Sequence, residues 1–248
     1  MTNRIDLSIQ SELNCNISKE YHFISAIIPI FNEERHLKNL LDSLMQCSEI
    51  NEIICINDGS QDATAQILYR YQDHVKIIEF IDNQGKGAAL AAGLNAARGD
   101  IVIFLDADLI NLKRKHIHTL VNPIIDQQKR AVVGYCKSSS ILPNLTETIS
   151  GQRAYYKNDL LPNLDEMGKM RFGIELYLNS LFSASDVIYV ALDELRGAYK
   201  FEKYYPEQAF KEYCREGKEI IYVLPRTILT RKFISDFIQQ IMSSFELV

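Results

Sequence analysis

The chain has 248 residues, 47% of them hydrophobic and 24% charged, enough apolar side chain for one sizeable core. Its formal net charge of −5 excludes a broadly basic nucleic-acid surface, so any anionic ligand must be held by local groups. No basic stretch followed by an apolar core opens it, and its longest apolar run, residues 187–192, falls far short of the ~20 that span a bilayer. These properties predict a cytoplasmic protein with no nucleic-acid partner and no transmembrane segment. Five cysteines (Cys15, Cys47, Cys55, Cys136 and Cys214) show no C-x-x-C spacing and read as small apolar residues of a reducing compartment.

Residues 1–22 are polar and lack a steady period, which reads as an N-terminal arm. A β-branched run over 24–30 predicts a strand, and Leu37, Leu40, Leu41 and Leu44 follow at helical spacing. Residues 53–56 predict a second strand, closed by the turn cluster Asn57-Asp58-Gly59-Ser60. Ser60 or Asp62 is a candidate N-cap for a helix carrying Ile67, Leu68 and Tyr71 on one face. Residues 75–81 predict a third strand. Gly85-Lys86-Gly87 then opens an Ala-rich helix over 88–97, and 101–105 predict a fourth strand running into Asp106-Ala107-Asp108. This alternation implies an α/β fold with a mostly parallel sheet flanked by helices. Ligands of such sheets bind beyond the carboxyl ends of the strands, and the polar clusters 29–33, 57–60, 83–87 and 106–108 all fall there. A helix over 115–128 and a strand over 131–136 continue the pattern. Beyond Lys137 it breaks down: 138–150 read as loop, 151–205 as mainly helical and 220–224 as a strand. Phe233, Ile234, Phe237, Ile238, Ile241, Met242 and Phe245 mark an amphipathic terminal helix.

The chemistry centres on Asp106-Ala107-Asp108. Two carboxylates on alternate positions past a buried strand can share a hard divalent cation, Mg2+ or Mn2+, whose shell is completed by water and phosphate oxygens. Such a cation offsets charge on a departing nucleoside diphosphate. Asp58 ends the second strand, where it can either accept hydrogen bonds from a nucleoside or simply make the turn. Lys86, flanked by glycines, suits a cation brought close to phosphate. Neither G-x-x-x-x-G-K-[ST] nor a G-x-G-x-x-G after the first strand is present, which weighs against P-loop and dinucleotide-dehydrogenase chemistry.

Residues 24–136 resemble the donor half of family 2 glycosyltransferases with a GT-A fold. The resemblance lies in Ile27-Ile28-Pro29-Ile30-Phe31-Asn32-Glu33, Asn57-Asp58-Gly59-Ser60-Gln61-Asp62, Asn83-Gln84-Gly85-Lys86-Gly87 and Ala97-Arg98-Gly99-Asp100 leading to Asp106-Ala107-Asp108. It implies a hexosyltransferase using a UDP- or GDP-linked sugar. Pro29, Ile30, Phe31, Glu33, Asn57 and Asp58 would line the nucleoside side, and Lys86, Asp106 and Ala107 would adjoin nucleotide or sugar. Asp108, with Asp106, would bind the metal.

In the second half, Ser150-Gly151-Gln152-Arg153-Ala154 resembles an acceptor-side loop, and Phe172-Gly173-Ile174-Glu175-Leu176 an aromatic-Gly-Val-Glu motif. Both occur in polyprenyl-phosphate sugar transferases and glucosyl-3-phosphoglycerate synthases, so the implied acceptor is a polyprenyl phosphate or a phosphorylated hydroxy acid. Glu175 is the candidate acid for positioning or deprotonating the acceptor hydroxyl, with Asp165 and Glu166 as alternatives. Arg153 and Arg196 are candidates for an acceptor phosphate, or ordinary surface arginines. His116 and His118 are expected to carry no chemistry, and Tyr199, Phe201, Tyr204 and Tyr205 to pack. The chain thus divides into an arm (1–22), a nucleotide-sugar half (23–136) and an acceptor-side region (137–248) of one domain. Its terminal helix, with Arg226, Arg231 and Lys232 nearby, offers a face to its own domain, to a second copy in a homodimer, or to a membrane surface. Two other readings of the donor half are a sugar nucleotidyltransferase, whose Gly-rich signature is missing from residues 28–32, and a non-catalytic sugar-nucleotide-binding module.

Overall fold

A computed structural model describes residues 22–136, 150–171 and 173–198. The N-terminal arm, the loop 138–149, Phe172, the tyrosines from 199 on, the strand expected at 220–224 and the terminal helix lie outside the described residues. Strands β1 (Ile24–Ile30), β2 (Glu52–Asp58), β3 (Lys76–Phe80) and β4 (Ile101–Phe104) alternate with helices α1 (Leu37–Met45), α2 (Thr64–Tyr69) and α3 (Lys86–Ala96). The two-strand ribbon partner β5 (Leu109–Ile110), helix α4 (Arg114–Ile125), β6 (Ala131–Tyr135) and β7 (Gln152–Tyr156) follow. Short helices α5 (Lys157–Leu160), α6 (Leu164–Lys169) and α7 (Ile174–Ser180) precede β8 (Val187–Ala191) and β9 (Arg196–Gly197).

The main sheet runs β3-β2-β1-β4-β7-β6-β8, and β5 pairs with β9 apart from it. Strands β1 to β4 are mutually parallel, as their helical crossovers require. The chain leaves β1 toward β2 on one side and returns through α3 to β4 on the other. The order therefore reverses between β1 and β4, and a crevice opens beyond their carboxyl ends.

Alternate residues of the buried strands feed two cores. Ile24, Ala26, Ile28 and Ile30 pack with the leucines of α1 and with Ile117, Leu120 and Val121 of α4. Ile27, Ile54, Ile56 and Phe104 pack on the opposite face with Leu90 and Leu94 of α3, and with Met167, Ile174 and Leu178 of α6 and α7. Buried on both faces, β1 and β4 read as continuous apolar runs.

The second half departs from the expected helical character. Three strands, β7, β8 and β9, occur among the described residues between 151 and 198. Ser150-Gly151-Gln152-Arg153-Ala154 is not a loop throughout but the entry into β7, antiparallel to both β4 and β6. Gln152 and Arg153 disguise this strand, because both are polar yet buried. Of the two expected caps, Asp62 is the one that engages the start of α2. Helix α2 begins after Ala63, with no side chain bonding its first turn from that position. Asp62 accepts the Thr64 amide there and the Glu34 amide as well, whereas Ser60 Oγ accepts the Asn32 amide.

Candidate functional site

Since β1, β2 and β4 are parallel, the segments after Ile30, Asp58 and Phe104 emerge on one rim. Antiparallel β7 brings its beginning there too: Arg153 lies opposite Phe104 and Gln152 opposite Gly134 of β6. Asp106 thus lies where β1, β4, β6 and β7 converge, and this convergence builds the site.

Lys86, in the first turn of α3, reaches across the crevice and donates to Asp106 Oδ1 at 2.6 Å and to Glu175 Oε1 at 2.6 Å. Glu175 lies in the first turn of α7 and is only 7% exposed. Close packing makes the reach possible, for a Cβ at Gly87 would fall 1.8 Å from the Met170 carbonyl oxygen between α6 and α7. Burial opposes the charge on Lys86, but the Asp106 and Glu175 carboxylates outweigh it and hold its pKa well above the usual lysine value. The ammonium therefore stays charged throughout the physiological range.

Asp106 is fixed from a second side. Gln152 Nε2 donates to Asp106 Oδ2 at 2.9 Å, and because an ionised carboxylate only accepts, this bond sets the amide orientation, with Gln152 Oε1 turned to Ser150 Oγ at 2.6 Å. Gly151 passes so close that a Cβ would lie 2.3 Å from Asp106 Oδ1, a position open only to glycine. Asp108 is half-buried at the start of the ribbon. Its carbonyl accepts the Ala198 amide, and a Cβ on Gly197 of β9 would stand 3.7 Å from Asp108 Oδ1. Each of the two carboxylates is bordered by a glycine, so no neighbouring side chain intrudes at those points. Among the described residues no group of three or more His, Cys, Asp or Glu side chains could hold a metal. This donor set fits a hard cation that draws most of its shell from water and phosphate. The Cys136 thiol, at the end of β6, is pushed up to about 11 by burial first and then by the negative charge of Asp106, so it stays a neutral thiol.

The loops after β1 and β2 are laced together. Asn32, in the left-handed region at φ 55°, accepts the Gln61 amide on Oδ1, and the Glu33 amide donates to Thr64 Oγ1. A cavity of about 290 Å³ opens between them, lined by residues 32–36 with Gln61 and Asp62. Glu33 is buried and its carbonyl accepts the amides that start α1. Asn57 Oδ1 accepts the Ser60 amide. Asp58 is engaged by the loop after β3: Asn83 Nδ2 and the Gln84 and Gly85 amides donate to its carboxylate at 2.9, 2.6 and 2.9 Å. Burial raises its pKa, against the pull of those amides. It therefore aims the loop that presents Lys86, whose preceding Gly85 has φ 99°. Pro29 and Phe31 are half-buried at the rim, whereas the side chains of Ile30 and Ala107 lie in the core and leave only their main chain to face a ligand.

The remaining candidates differ in their settings. Asp165 and Glu166 are exposed, and Glu166 pairs with Lys169. Arg153 is not a surface arginine but 1% exposed, donating to the Ser150 carbonyl, Tyr155 Oη and Asn179 Oδ1. Arg196 lies half-buried on β9. His116 accepts the Lys113 amide on Nδ1 and contacts the Asp193 carbonyl through Nε2, and His118 pairs with Glu49. Gln152 is the residue that sequence reasoning assigned no role, because one buried glutamine on a short strand carries no periodic signal.

The family model for glycosyl transferase family 2 matches residues 25–175, more than half of the chain, and includes Lys86, Asp106, Asp108, Gln152 and Glu175. The chain belongs to that family. Its family 2 domain is 36% identical over 99 residues to a dolichyl-phosphate beta-glucosyltransferase of Drosophila melanogaster, covering 34% of this chain and 30% of the relative. It is 40% identical over 96 residues to an undecaprenyl-phosphate 4-deoxy-4-formamido-L-arabinose transferase of Photorhabdus laumondii, covering 36% and 30%. The match thus spans about a third of those curated relatives. Among solved structures, glucosyl-3-phosphoglycerate synthase from Mycobacterium tuberculosis, in complex with Mn2+, UDP and glucosyl-3-phosphoglycerate, superposes with a TM-score of 0.66. That superposition covers 93% of this chain and 87% of the synthase at 18% identity, and shows the GT-A fold of the family 2 domain. Among the described residues no helix is long and apolar enough to cross a membrane.

Proposed function

We propose that this protein is a metal-dependent hexosyltransferase that moves a sugar from a UDP- or GDP-linked donor to a polyprenyl phosphate or a phosphorylated hydroxy acid. The observation that carries the reading is the placement of Lys86, Asp106 and Glu175 in contact at the strand-order reversal, with Asp108 beside them. Asp108 and Asp106 are the carboxylates that would hold Mg2+ or Mn2+, which when bound neutralises charge on the leaving diphosphate. Lys86 supplies a permanent positive charge for the same phosphates. Glu33 and Asn57, with Pro29, Phe31 and the main chain of Ile30 and Ala107, border the nucleoside side. Asp58 shapes it by holding residues 83–85. Glu175, close to Asp106 yet anchored on α7, is placed to orient the acceptor hydroxyl or take its proton.

The polyprenyl-phosphate relatives and the structural neighbour bound to glucosyl-3-phosphoglycerate name the two acceptor classes to test. Protein incubated with UDP- or GDP-hexoses, Mn2+ or Mg2+, and either 3-phosphoglycerate or a short polyprenyl phosphate is expected to yield a glycosylated product with one acceptor class. Chelation is expected to abolish it. Neither transfer nor donor hydrolysis with any pairing would contradict the proposal.

A further inference from the structure

Lys86 Nζ is shared between a carboxylate of the D-x-D segment and Glu175, on the opposite wall of the crevice. Both Asp106 oxygens accept a hydrogen bond, one from Lys86 and the other from Gln152. A divalent cation arriving alone would have to displace or crowd an ammonium 2.6 Å from one of its two carboxylate ligands. Among the described residues, no third His, Cys, Asp or Glu side chain joins the two carboxylates to offset that displacement. A diphosphate changes the balance, because it offers oxygens to the cation and a second anionic partner to Lys86.

We infer that Lys86 is an internal counter-cation that keeps the D-x-D carboxylates closed to free metal and releases Asp106 and Glu175 together when a nucleoside diphosphate draws its ammonium away. This inference rests on the proposed donor site. Metal and nucleotide bind cooperatively, and donor loading frees Glu175 for the acceptor. Lys86 acts here as a gate on two carboxylates through its own movement, and the rigid hold of Gln152 on Asp106 keeps the metal ligand in place while the ammonium leaves.

The test is Mn2+ binding, read from loss of the free-Mn2+ electron paramagnetic resonance signal, for the wild-type chain and for Lys86→Gln, with and without UDP and GDP. Melting temperature establishes that the variant is folded, and Lys86→Met serves as a second variant. Wild type is expected to bind Mn2+ weakly alone and roughly tenfold or more tightly with its nucleotide. Lys86→Gln is expected to bind Mn2+ alone more tightly than wild type and to lose most of that coupling. Equal or weaker Mn2+ binding by both folded variants without nucleotide would overturn the gate while leaving the donor site intact. No Mn2+ binding by any form, with either nucleotide, would overturn the donor-site reading and the gate with it.

Discussion

Glu175 shows what single residues decide here. Lys86 Nζ links its carboxylate to that of Asp106, so its charge matters more than its volume. Glu175→Gln keeps the shape and one hydrogen-bond acceptor, and is expected to lower turnover on the order of a hundredfold or more while changing nucleotide affinity little. Steady-state kinetics alongside calorimetric nucleotide binding check this, and an unaltered rate would remove Glu175 from the chemistry. Asp106, Asp108 and Lys86 were legible because carboxylates at alternate positions after an apolar strand, and a lysine between glycines, are local patterns. That Asp58 is spent on residues 83–85 was not legible, since the bonds join segments 25 or more residues apart. The same spacing hid Gln152, whose partner Asp106 is 46 residues away.

Strand β7 is the element that converts a parallel nucleotide fold into a two-walled crevice, and its stability rests on an unusual side chain. Arg153 is buried with three acceptors around its guanidinium, from Ser150, Tyr155 and Asn179. Arg153→Met fills most of the volume but strands those acceptors, a cost of about 3 kcal/mol. The melting temperature is expected to fall by roughly 6–12 °C for a chain of this size. A shift below about 2 °C would show that β7 does not depend on this network. Helix α4 and the segment leading to β9 are joined in a similar way by His116, whose pKa is lowered chiefly by burial. The unfolded chain takes up the proton first as pH falls. The His116 contribution is thus fully present above about pH 6.5 and declines as the pH drops below it, toward the lower folded-state pKa. His116→Gln is expected to flatten the denaturant stability profile between about pH 5 and 7, and an unchanged slope would contradict that role. The strands β1, β2 and β4 were readable because burial on both faces makes their centres apolar, and the edge strand β3, with Lys76 and Glu79 exposed, from its flanking isoleucines and phenylalanine. Strands β7 and β8 were not. QRAYY carries two buried polar side chains, and β8 alternates too weakly to be told from helix.

At the scale of the molecule, the order β3-β2-β1-β4-β7-β6-β8 sets every functional distance. Reversal between β1 and β4 opens the crevice, and the antiparallel insertion of β7 adds Gly151 and Gln152 to the rim from the chain's second half. Family membership follows from the domain as a whole, while the catalytic claim rests on how the rim is used. The most direct measurement is therefore a thermal-shift titration of wild type and Asp108→Ala with UDP, GDP and their hexoses, each with and without Mn2+. A ligand that binds only the folded state raises the melting temperature by mass action. The account predicts that one nucleotide stabilises wild type strongly only when Mn2+ is present. It also predicts that Asp108→Ala melts near the wild-type temperature but loses that metal-dependent increment. Equal stabilisation of both proteins, or none of wild type by any nucleotide with Mn2+, would contradict it.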